Sequence, residues 1–315
     1  MLLKFLFASI KAGVPLLFGT TGEIVTEKSG SLNLGVEGMM YMGAFMGFFV
    51  AYKTDSLILA IIAAFLMGML GALIFAVLTI TFMANQNVTG LTLTIFGTGI
   101  SNFLGNRMVA GTDVTPKLSD RMIDLLAEKP IPVLGDIPVV GKLLFSHNIL
   151  VYFSVLIAVL LGYYIKKTKP GLNMRAVGEN PAAADAAGIN VTKTKYIHVL
   201  LGGGICGIGG AYISMVNGMG VWNNDSVNGL GWISVALVIF AAWSPLKAIL
   251  GSFIFGAFSI IILYAPKEII AIPNAIYKML PFLLTIVVLI ITSMRKSKEN
   301  SQPASCGLNY YREER

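Results

Sequence analysis

Long apolar stretches, separated by short polar segments, recur along the whole chain. Most of them approach the ~20 residues that an α-helix needs to cross ~30 Å of hydrocarbon, and they are too long and uniformly apolar to be barrel strands. The pattern therefore predicts an all-α polytopic membrane protein with about nine (8–10) transmembrane helices. We place the spans at about 3–21, 36–52, 57–83, 88–106, 148–166, 196–218, 230–243, 246–264 and 275–294.

The composition supports this prediction, because 56% of the 315 residues are hydrophobic and only 12% are charged, with a mean hydropathy of +0.77. Soluble domains carry about 25% charged residues. In a membrane protein we interpret the net charge of +7 as a loop bias rather than as a nucleic-acid-binding surface. Cys206 lies in an apolar stretch and Cys306 in the polar tail, so the two cysteines do not indicate a disulfide framework.

The charges of the loops predict which side of the membrane each loop faces. Segment 166–195 carries six basic and two acidic residues, and tail 295–315 carries five and three, whereas loop 107–147 carries five of each. Basic loops remain in the cytoplasm, so 166–195 and the C-terminal tail are predicted to be cytoplasmic and 107–147 to lie outside. We expect one transmembrane domain, residues 1–294, followed by a disordered cytoplasmic tail.

Residues 22–40, GEIVTEKSGSLNLGVEGMM, place several glycines together with Asn33 and Glu37 between two apolar stretches. Irregular backbone at membrane depth is tolerated only inside protein or along a wet cavity. One interpretation is therefore a broken helix that lines a substrate pathway, with Asn33 and Glu37 facing it. The alternative is an ordinary polar loop, with Glu37 at a helix start where the helix dipole favours a carboxylate.

Residues 85–102, NQNVTGLTLTIFGTGISN, are rich in amides and hydroxyls for a membrane helix. One interpretation is a helix that lines a route for a hydrogen-bonding solute. The alternative is close helix packing, in which threonine and glycine share hydrogen bonds with neighbouring helices. The pathway interpretation would use Asn85, Asn87, Thr89, Thr92 and Thr94.

Residues 201–215, LGGGICGIGGAYISM, contain a formal GxGxxG, but the run lies in an apolar span with no preceding strand. A dinucleotide site is therefore excluded. The spacing of Gly203 and Gly207 instead predicts close packing between helices, and Gly43 and Gly47 form a second pair of this kind.

The predicted cytoplasmic loop 169–199 contains the signals of a short, capped helix. Asn180 suits an N-cap, Pro181 suits the first helical position, and Gly188 suits the position after the C-cap. The helix between them is rich in alanine, so it is slim and could dock in a groove on another protein. The alternative is a plain connector, for which a loop of about 30 residues is long.

Motifs for catalysis, nucleotide hydrolysis and metal binding are missing from the sequence. There is no G-x4-GK[ST], no nucleophile elbow and no HExxH. His147 and His198 are single and have no partner pattern, so no metal site is indicated. We therefore expect a protein that is not an enzyme and binds no cofactor directly.

Two stretches, Gly22–Ala44 (GEIVTEKSGSLNLGVEGMMYMGA) and Gly171–Asn190 (GLNMRAVGENPAAADAAGIN), resemble permease subunits of bacterial ABC importers. The resemblance is to the branch that includes sugar, nucleoside and branched-chain amino acid permeases, and to its nucleoside-type members in particular. Residues 228–256 and 280–291 add more general similarity, so that the resemblance covers nearly the whole chain.

The resemblance implies a bacterial plasma-membrane importer of several subunits. Two permeases, often non-identical homologues, would form the pore, two ATPase subunits would bind inside and supply the energy of ATP, and an external solute-binding protein would deliver the cargo. The resemblance favours nucleosides as cargo over simple sugars or branched-chain amino acids. An ATP-independent secondary transporter or channel is the alternative of another class, and no nucleic-acid partner is expected.

The resemblance also implies that the slim helix is a coupling helix that sits in a groove of the ATPase. The residues of this coupling segment would be Gly178, Glu179, Asn180, Pro181, Ala182, Ala183, Ala184, Asp185 and Gly188. It also favours the broken-helix interpretation of residues 22–40.

Overall fold

A computed structural model of the chain describes residues 1–110, 115–135, 137–264 and 301–311, together with isolated positions between 276 and 290. Within these residues the fold is helical, and the one β feature is an isolated bridge between Lys117 and Val221. Two helices, Leu57–Ala76 and Val191–Tyr212, end in π-helical turns, Val77–Thr81 and Ile213–Asn217. The helices are α1 (Leu2–Lys28), α2 (Val36–Thr54), α3 (Leu57–Ala76), α4 (Gln86–Ala110), α5 (Asp120–Leu125), α6 (Val140–Leu144), α7 (Ile149–Lys167), α8 (Lys169–Glu179), α9 (Pro181–Ala186), α10 (Val191–Tyr212), α11 (Leu230–Phe240) and α12 (Pro245–Tyr264).

The predicted helical membrane fold is confirmed in the described part of the chain. Four helical stretches there are long and apolar enough to cross a bilayer, namely Leu2–Lys28, Leu57–Thr81, Ile149–Lys167 and Val191–Asn217. Shorter apolar helices accompany them at Leu230–Phe240 and Pro245–Ile261. The predicted span 275–294 falls largely outside the described residues, and the total of nine spans stays a prediction.

Helix α10 is the centre of the bundle, since α1, α2 and α3 all pack against it. Glycines bring these backbones close together. A Cβ built on Gly43 of α2 would lie 2.2 Å from the carbonyl oxygen of Gly207, and one on Gly207 would lie 2.3 Å from that of Ala64 in α3. A Cβ on Gly68 of α3 would lie 2.2 Å from the carbonyl oxygen of Gly203. The close packing predicted for the paired glycines is therefore confirmed.

The loop between α4 and α7 packs against the segment that follows α10. The backbone amide of Leu118 donates to the carbonyl of Gly220 (2.7 Å), and that of Trp222 donates to the carbonyl of Pro116 (3.0 Å). Next to α7, the ring of His147 stacks on Phe7 with 4.2 Å between centroids, and burial lowers the pKa of this histidine. The loop is thus joined to the end of the bundle where α10 finishes.

The tail is more ordered than its polar composition predicts. Disorder is predicted for 295–315, whereas residues 301–311 pack against the loop that holds α8 and α9 and against the start of α4. Backbone groups and polar side chains of residues 301–311 thus find specific partners far away in the sequence.

We expect Gly207→Ala to lower the free energy of unfolding by roughly 1–3 kcal/mol, the usual effect of overpacking a tight contact. The added methyl group would meet a backbone carbonyl of α3, which a side-chain rotation cannot relieve. Thermal unfolding of the purified protein in detergent measures the effect. Gly99→Ala is the matched control, since a Cβ at Gly99 has no neighbour within 4 Å. Equal unfolding temperatures for the two variants would contradict the assigned role of Gly207.

Candidate functional site

The connection between α1 and α2 turns back into the bundle. Helix α1 continues without a break to Lys28, beyond the predicted end of the first span at about residue 21. The backbone amide of Asn33 then donates to the carboxylate of Glu23 over 3.0 Å. Since Glu23 lies five residues before the end of α1, the chain has returned by ~7.5 Å along the helix axis at that point. The irregular segment 29–35 is therefore enclosed by protein, as non-helical backbone at this depth requires.

Asn33 shapes this returning segment from inside. Its side chain is buried, its carbonyl oxygen accepts the amide of Gly35 over 2.9 Å, and its NH2 group contacts the sulfur of Met39 at 3.5 Å. The first of these bonds is the Asx-turn pattern, in which a side chain replaces a backbone group in a turn. In this conformation Asn33 organises the start of α2.

Glu37 closes the N-terminal end of α11. One carboxylate oxygen accepts the amide of Gly229 and the other accepts that of Gly231, both over 2.6 Å, and the amide of Trp232 also bonds to the carboxylate. The first amides of a helix have no partner within the helix, and their partial positive charge favours an anion. Glu37 therefore lies in the first turn of α2 and also beside the first amides of α11, so that its carboxylate is at the favourable end of two helices.

Helix α11 is too short to cross a bilayer by itself. Its eleven residues extend ~16 Å, about half of the hydrocarbon thickness. It begins beside Glu37 and ends at a turn where Trp243 donates its indole N–H to the carboxylate of Glu27. The two ends of this short helix are thus both bonded to carboxylates of the first two helices, Glu37 of α2 and Glu27 of α1.

The polar residues predicted for α4 are divided between its inner face and its exposed face. On the inner face Thr94 donates to the carbonyl of Leu34 (3.0 Å), and a Cβ on Gly97 would lie 2.4 Å from the carbonyl of Gly38. This face supports the packing interpretation. Asn85, Asn87 and Thr92 lie on the exposed face, and Thr89 is buried and bonded to the carbonyl of Asn85.

The predicted caps of the slim helix are confirmed in α9. The side chain of Asn180 accepts the amide of Ala183 over 3.0 Å, Pro181 is the first residue of the helix, and Gly188 follows the helix end with a φ of 82°. A short hydrophobic cluster of Val177, Ala184 and Val191 supports α9 from beneath. The helix is therefore held in place although it has only six residues.

The side chains on the exposed face of α9 are all alanine methyl groups. Ala182, Ala183, Ala186 and Ala187 are exposed, whereas Ala184 is buried. An exposed alanine face is narrow and loses no side-chain entropy when it is covered, which suits a helix that enters a groove.

The end of α8 contacts the returning segment directly. A Cβ on Gly178 would lie 2.3 Å from the carbonyl oxygen of Lys28 and 3.3 Å from the amide nitrogen of Gly30. Only glycine allows the two backbones to approach so closely. The end of α8 and residues 28–30 are therefore in direct backbone contact.

Residues 303–310, which we call the strap, cross this junction. Ser305 bonds through its amide to the carbonyl of Gly178 (3.0 Å) and through its hydroxyl to the carbonyl of Val177 (3.2 Å). The hydroxyl of Tyr310 donates to the carboxylate of Asp185 in α9 (2.9 Å). The strap is therefore attached to both helices of the predicted coupling segment.

The same strap reaches the start of α4. The side-chain NH2 group of Asn309 donates to the backbone carbonyl of Met83 (2.6 Å), and its side-chain oxygen accepts from the NH2 group of Gln86 (3.2 Å). The side-chain oxygen of Gln86 in turn accepts the backbone amide of Leu32 (2.7 Å). Cys306 belongs to the strap, and burial together with the carboxylate of Glu27 raises the pKa of its thiol well above the usual range. The α8–α9 unit, the returning segment and α4 are thus fastened together by one short stretch of chain.

Sequence reasoning missed the strap. The hydrophobic and aromatic residues Leu308, Tyr310 and Tyr311 interrupt an otherwise polar tail, and this was the one local signal that could have indicated a docked segment. The pairing of Glu37 with α11 was also missed, because the partners are about 190 residues apart.

Comparison with known proteins agrees with this architecture. Residues 5–289 match the family described as the permease component of the branched-chain amino acid transport system. The chain belongs to this family of membrane permeases, and the resemblance inferred from its motifs is confirmed.

Three curated relatives are described as permease proteins of ABC transporters. TsgC13 of Haloferax volcanii, provisionally described as a glucose ABC transporter permease protein, is 34% identical over 85% of this chain and 80% of its own length. The nucleoside ABC transporter permease protein NupC of Lactococcus lactis is 33% identical over 87% of both chains. The guanosine ABC transporter permease protein NupQ of Bacillus subtilis is 33% identical over 90% of this chain and 89% of its own. No solved structure matches the chain.

We expect Glu37→Ala to lower the free energy of unfolding by about 3 kcal/mol, because it leaves buried amides of α11 without their charged acceptor. Glu37→Gln keeps one acceptor oxygen and should have a smaller effect. Thermal unfolding in detergent measures both, with Asp120→Ala as the control that removes a carboxylate whose side chain is 99% exposed. A Glu37→Ala variant as stable as Asp120→Ala would show that the carboxylate does not hold α11.

We expect Tyr310→Phe to loosen α9, because it removes the hydroxyl that bonds to Asp185 and keeps the ring. A loss of about 1 kcal/mol of stability in α9 should accelerate amide hydrogen exchange in residues 182–187 by roughly fivefold. Tyr311→Phe is the matched control, since Tyr311 is the neighbouring, exposed tyrosine. Equal exchange in the two variants would mean that the strap does not restrain α9.

Proposed function

We propose that this permease imports nucleosides, driven by ATP hydrolysis on separate ATPase subunits that dock on α9. In this proposal two permeases form the pore, the second being a non-identical homologue, and an external binding protein delivers the solute. The chain crosses a bacterial plasma membrane about nine times, with α8, α9 and the tail in the cytoplasm, as the distribution of basic residues predicts.

The observation that carries the proposal is the geometry of α9. It is capped at both ends, supported by a small hydrophobic cluster, and exposes a methyl-only face away from the bundle. The predicted coupling residues Gly178–Asp185 and Gly188 all belong to this unit or its junctions. A connector with no partner would have no need for such a rigid and smooth surface.

Contacts inside the chain supply a route by which α9 acts on the membrane region. The end of α8 touches residues 28–30, the returning segment is bonded to Glu23, and α2 holds α11 through Glu37. Movement of α9 would thus shift the start of α2 and the half-length helix together. The strap carries the same displacement to α4.

Nucleosides are the proposed cargo for two reasons. The motif in residues 22–44 resembles nucleoside-type permeases, and two of the relatives above are described as nucleoside and guanosine permeases. A simple sugar is the second candidate, since TsgC13 is described for glucose.

The proposed pathway lies against the exposed face of α4. Asn85, Asn87 and Thr92 present polar groups there, and a second permease facing them would enclose a polar route. Asn33, Glu37, Thr89 and Thr94 would act behind this surface, by holding α2 and α4 in position.

We expect Ala186→Arg to reduce co-purification of the cognate ATPase subunit at least about tenfold, the effect of losing ~1.4 kcal/mol of binding free energy. The large side chain would project from the exposed face of α9 and leave the fold intact. Leu125→Arg is the control, because it adds the same group at an exposed position in the α4–α7 loop. Normal association of Ala186→Arg would refute the docking role of α9.

Uptake of labelled nucleosides, glucose and branched-chain amino acids, in cells lacking this chain with and without a plasmid copy, tests the cargo. Restored uptake of nucleosides alone, abolished when the ATPase is inactivated, is the expected result. Uptake that survives loss of the ATPase would instead indicate a secondary transporter.

A further inference from the structure

A cavity of about 530 Å³ lies where four parts of the chain meet beside the α8–α9 unit. It is bordered by the last residue of α1, the last turn of α7, the helix α8 and the turn that leads from α11 into α12. The proposed docking face on α9 does not line this cavity, although Glu179 of the predicted coupling segment does. Its lining includes Lys28, Gly162, Lys166, Arg175, Glu179 and Trp243.

Positive charge dominates the lining. Among the described residues, Lys28, Lys166, Arg175 and Lys247 line the cavity together with one carboxylate, that of Glu179. The charge of Lys28 is attracted by Glu179 and Glu27 and repelled by Arg175. Like charges that are gathered around a concave surface are compensated best by an anion from outside the chain.

Arg175 provides an atom that such an anion could satisfy. Its Nε is shielded from solvent and has no hydrogen-bond partner among the described residues. No carboxylate of the described residues lies within salt-bridge distance of Lys166 or Arg175. A guanidinium group offers a fixed fork of donors that fits phosphate oxygens.

The position of the cavity relates it to the membrane surface. Gly162, Ile165 and Lys166 belong to the last turns of α7, one of the four clear spans, which ends at Lys167. Trp243 supplies an aromatic ring of the kind that is enriched at membrane interfaces. On the adjoining α12, Leu246 and Leu250 are 45% and 65% exposed and offer an apolar surface beside the cavity.

We propose that this basic cavity binds the phosphate of an anionic phospholipid from the inner leaflet, whose acyl chains lie along α7 and α12. Basic cavities between spans on the cytoplasmic side recognise lipid head groups in this way. The proposal uses the orientation given under the proposed function but is independent of cargo and ATPase. A soluble phosphate compound would use the same donors, but the exposed leucines beside the cavity favour a lipid.

Native mass spectrometry of the purified full chain in detergent tests the proposal directly. The protein is titrated with dioleoyl phosphatidylglycerol or with dioleoyl phosphatidylcholine. The double variant Lys166→Gln/Arg175→Gln removes two charges of the cavity. The matched control, Lys167→Gln/Lys193→Gln, removes two exposed basic residues that do not line it. Thermal unfolding confirms that each variant is folded.

We expect the wild type to prefer phosphatidylglycerol, and the cavity variant to bind it about 25-fold more weakly, since each basic group contributes about fivefold near an anionic lipid. The control should bind like the wild type. Equal binding of the two lipids, or equal loss in both double variants, would overturn the proposal.

A competition arm separates the lipid from other anions. Inorganic phosphate or ATP that displaces phosphatidylglycerol at millimolar concentration would overturn the lipid assignment in favour of a soluble anion. Loss of ATPase co-purification in the cavity variant, without any lipid preference in the wild type, would overturn it in favour of a protein contact. Since binding is measured on the isolated chain, a failed uptake assay would leave this result unaffected.

Discussion

The carboxylate of Glu37 holds the amino end of α11, a helix that is too short to reach both faces of the membrane. A half-length helix leaves its first amides in a medium where water cannot satisfy them, and each unsatisfied group there costs several kcal/mol. Glu37 solves this problem and is itself stabilised by the same amides. The position of α11, the start of α2 and the turn to α12 therefore all depend on one buried pairing.

Glycine packing makes that pairing possible. The start of α2 must remain at a fixed depth for Glu37 to meet α11, and α2 is fixed by its contact with α10 at Gly43 and Gly207. In a bilayer the hydrophobic effect does not hold helices together, so close backbone approach is the main source of stability. The bundle thus combines a rigid centre of small residues with polar bonds at its broken elements.

Local features of the structure were predictable from the sequence, and long-range features were not. The caps of α9 depend on Asn180, Pro181 and Gly188, which lie within nine residues and act through the nearby backbone. The spacing of the paired glycines likewise predicted close helix packing, but it did not show which helices would be in contact. The partner of Glu37 could not be predicted. The sequence of α11 is as apolar as a segment of a full-length span, so its composition does not reveal that the helix is only half as long.

The strap is synthesised after the helices that it joins. It follows all the described helices in the sequence, yet it completes the surface formed by α8, α9 and the start of α4. During synthesis the membrane helices are available before the strap exists, so an unfinished chain can insert while its α9 is still unfastened. A chain cut short by a nonsense mutation between α12 and the strap would therefore lack the bonds that Ser305 and Tyr310 make to the α8–α9 unit, although every residue of α8 and α9 would be present.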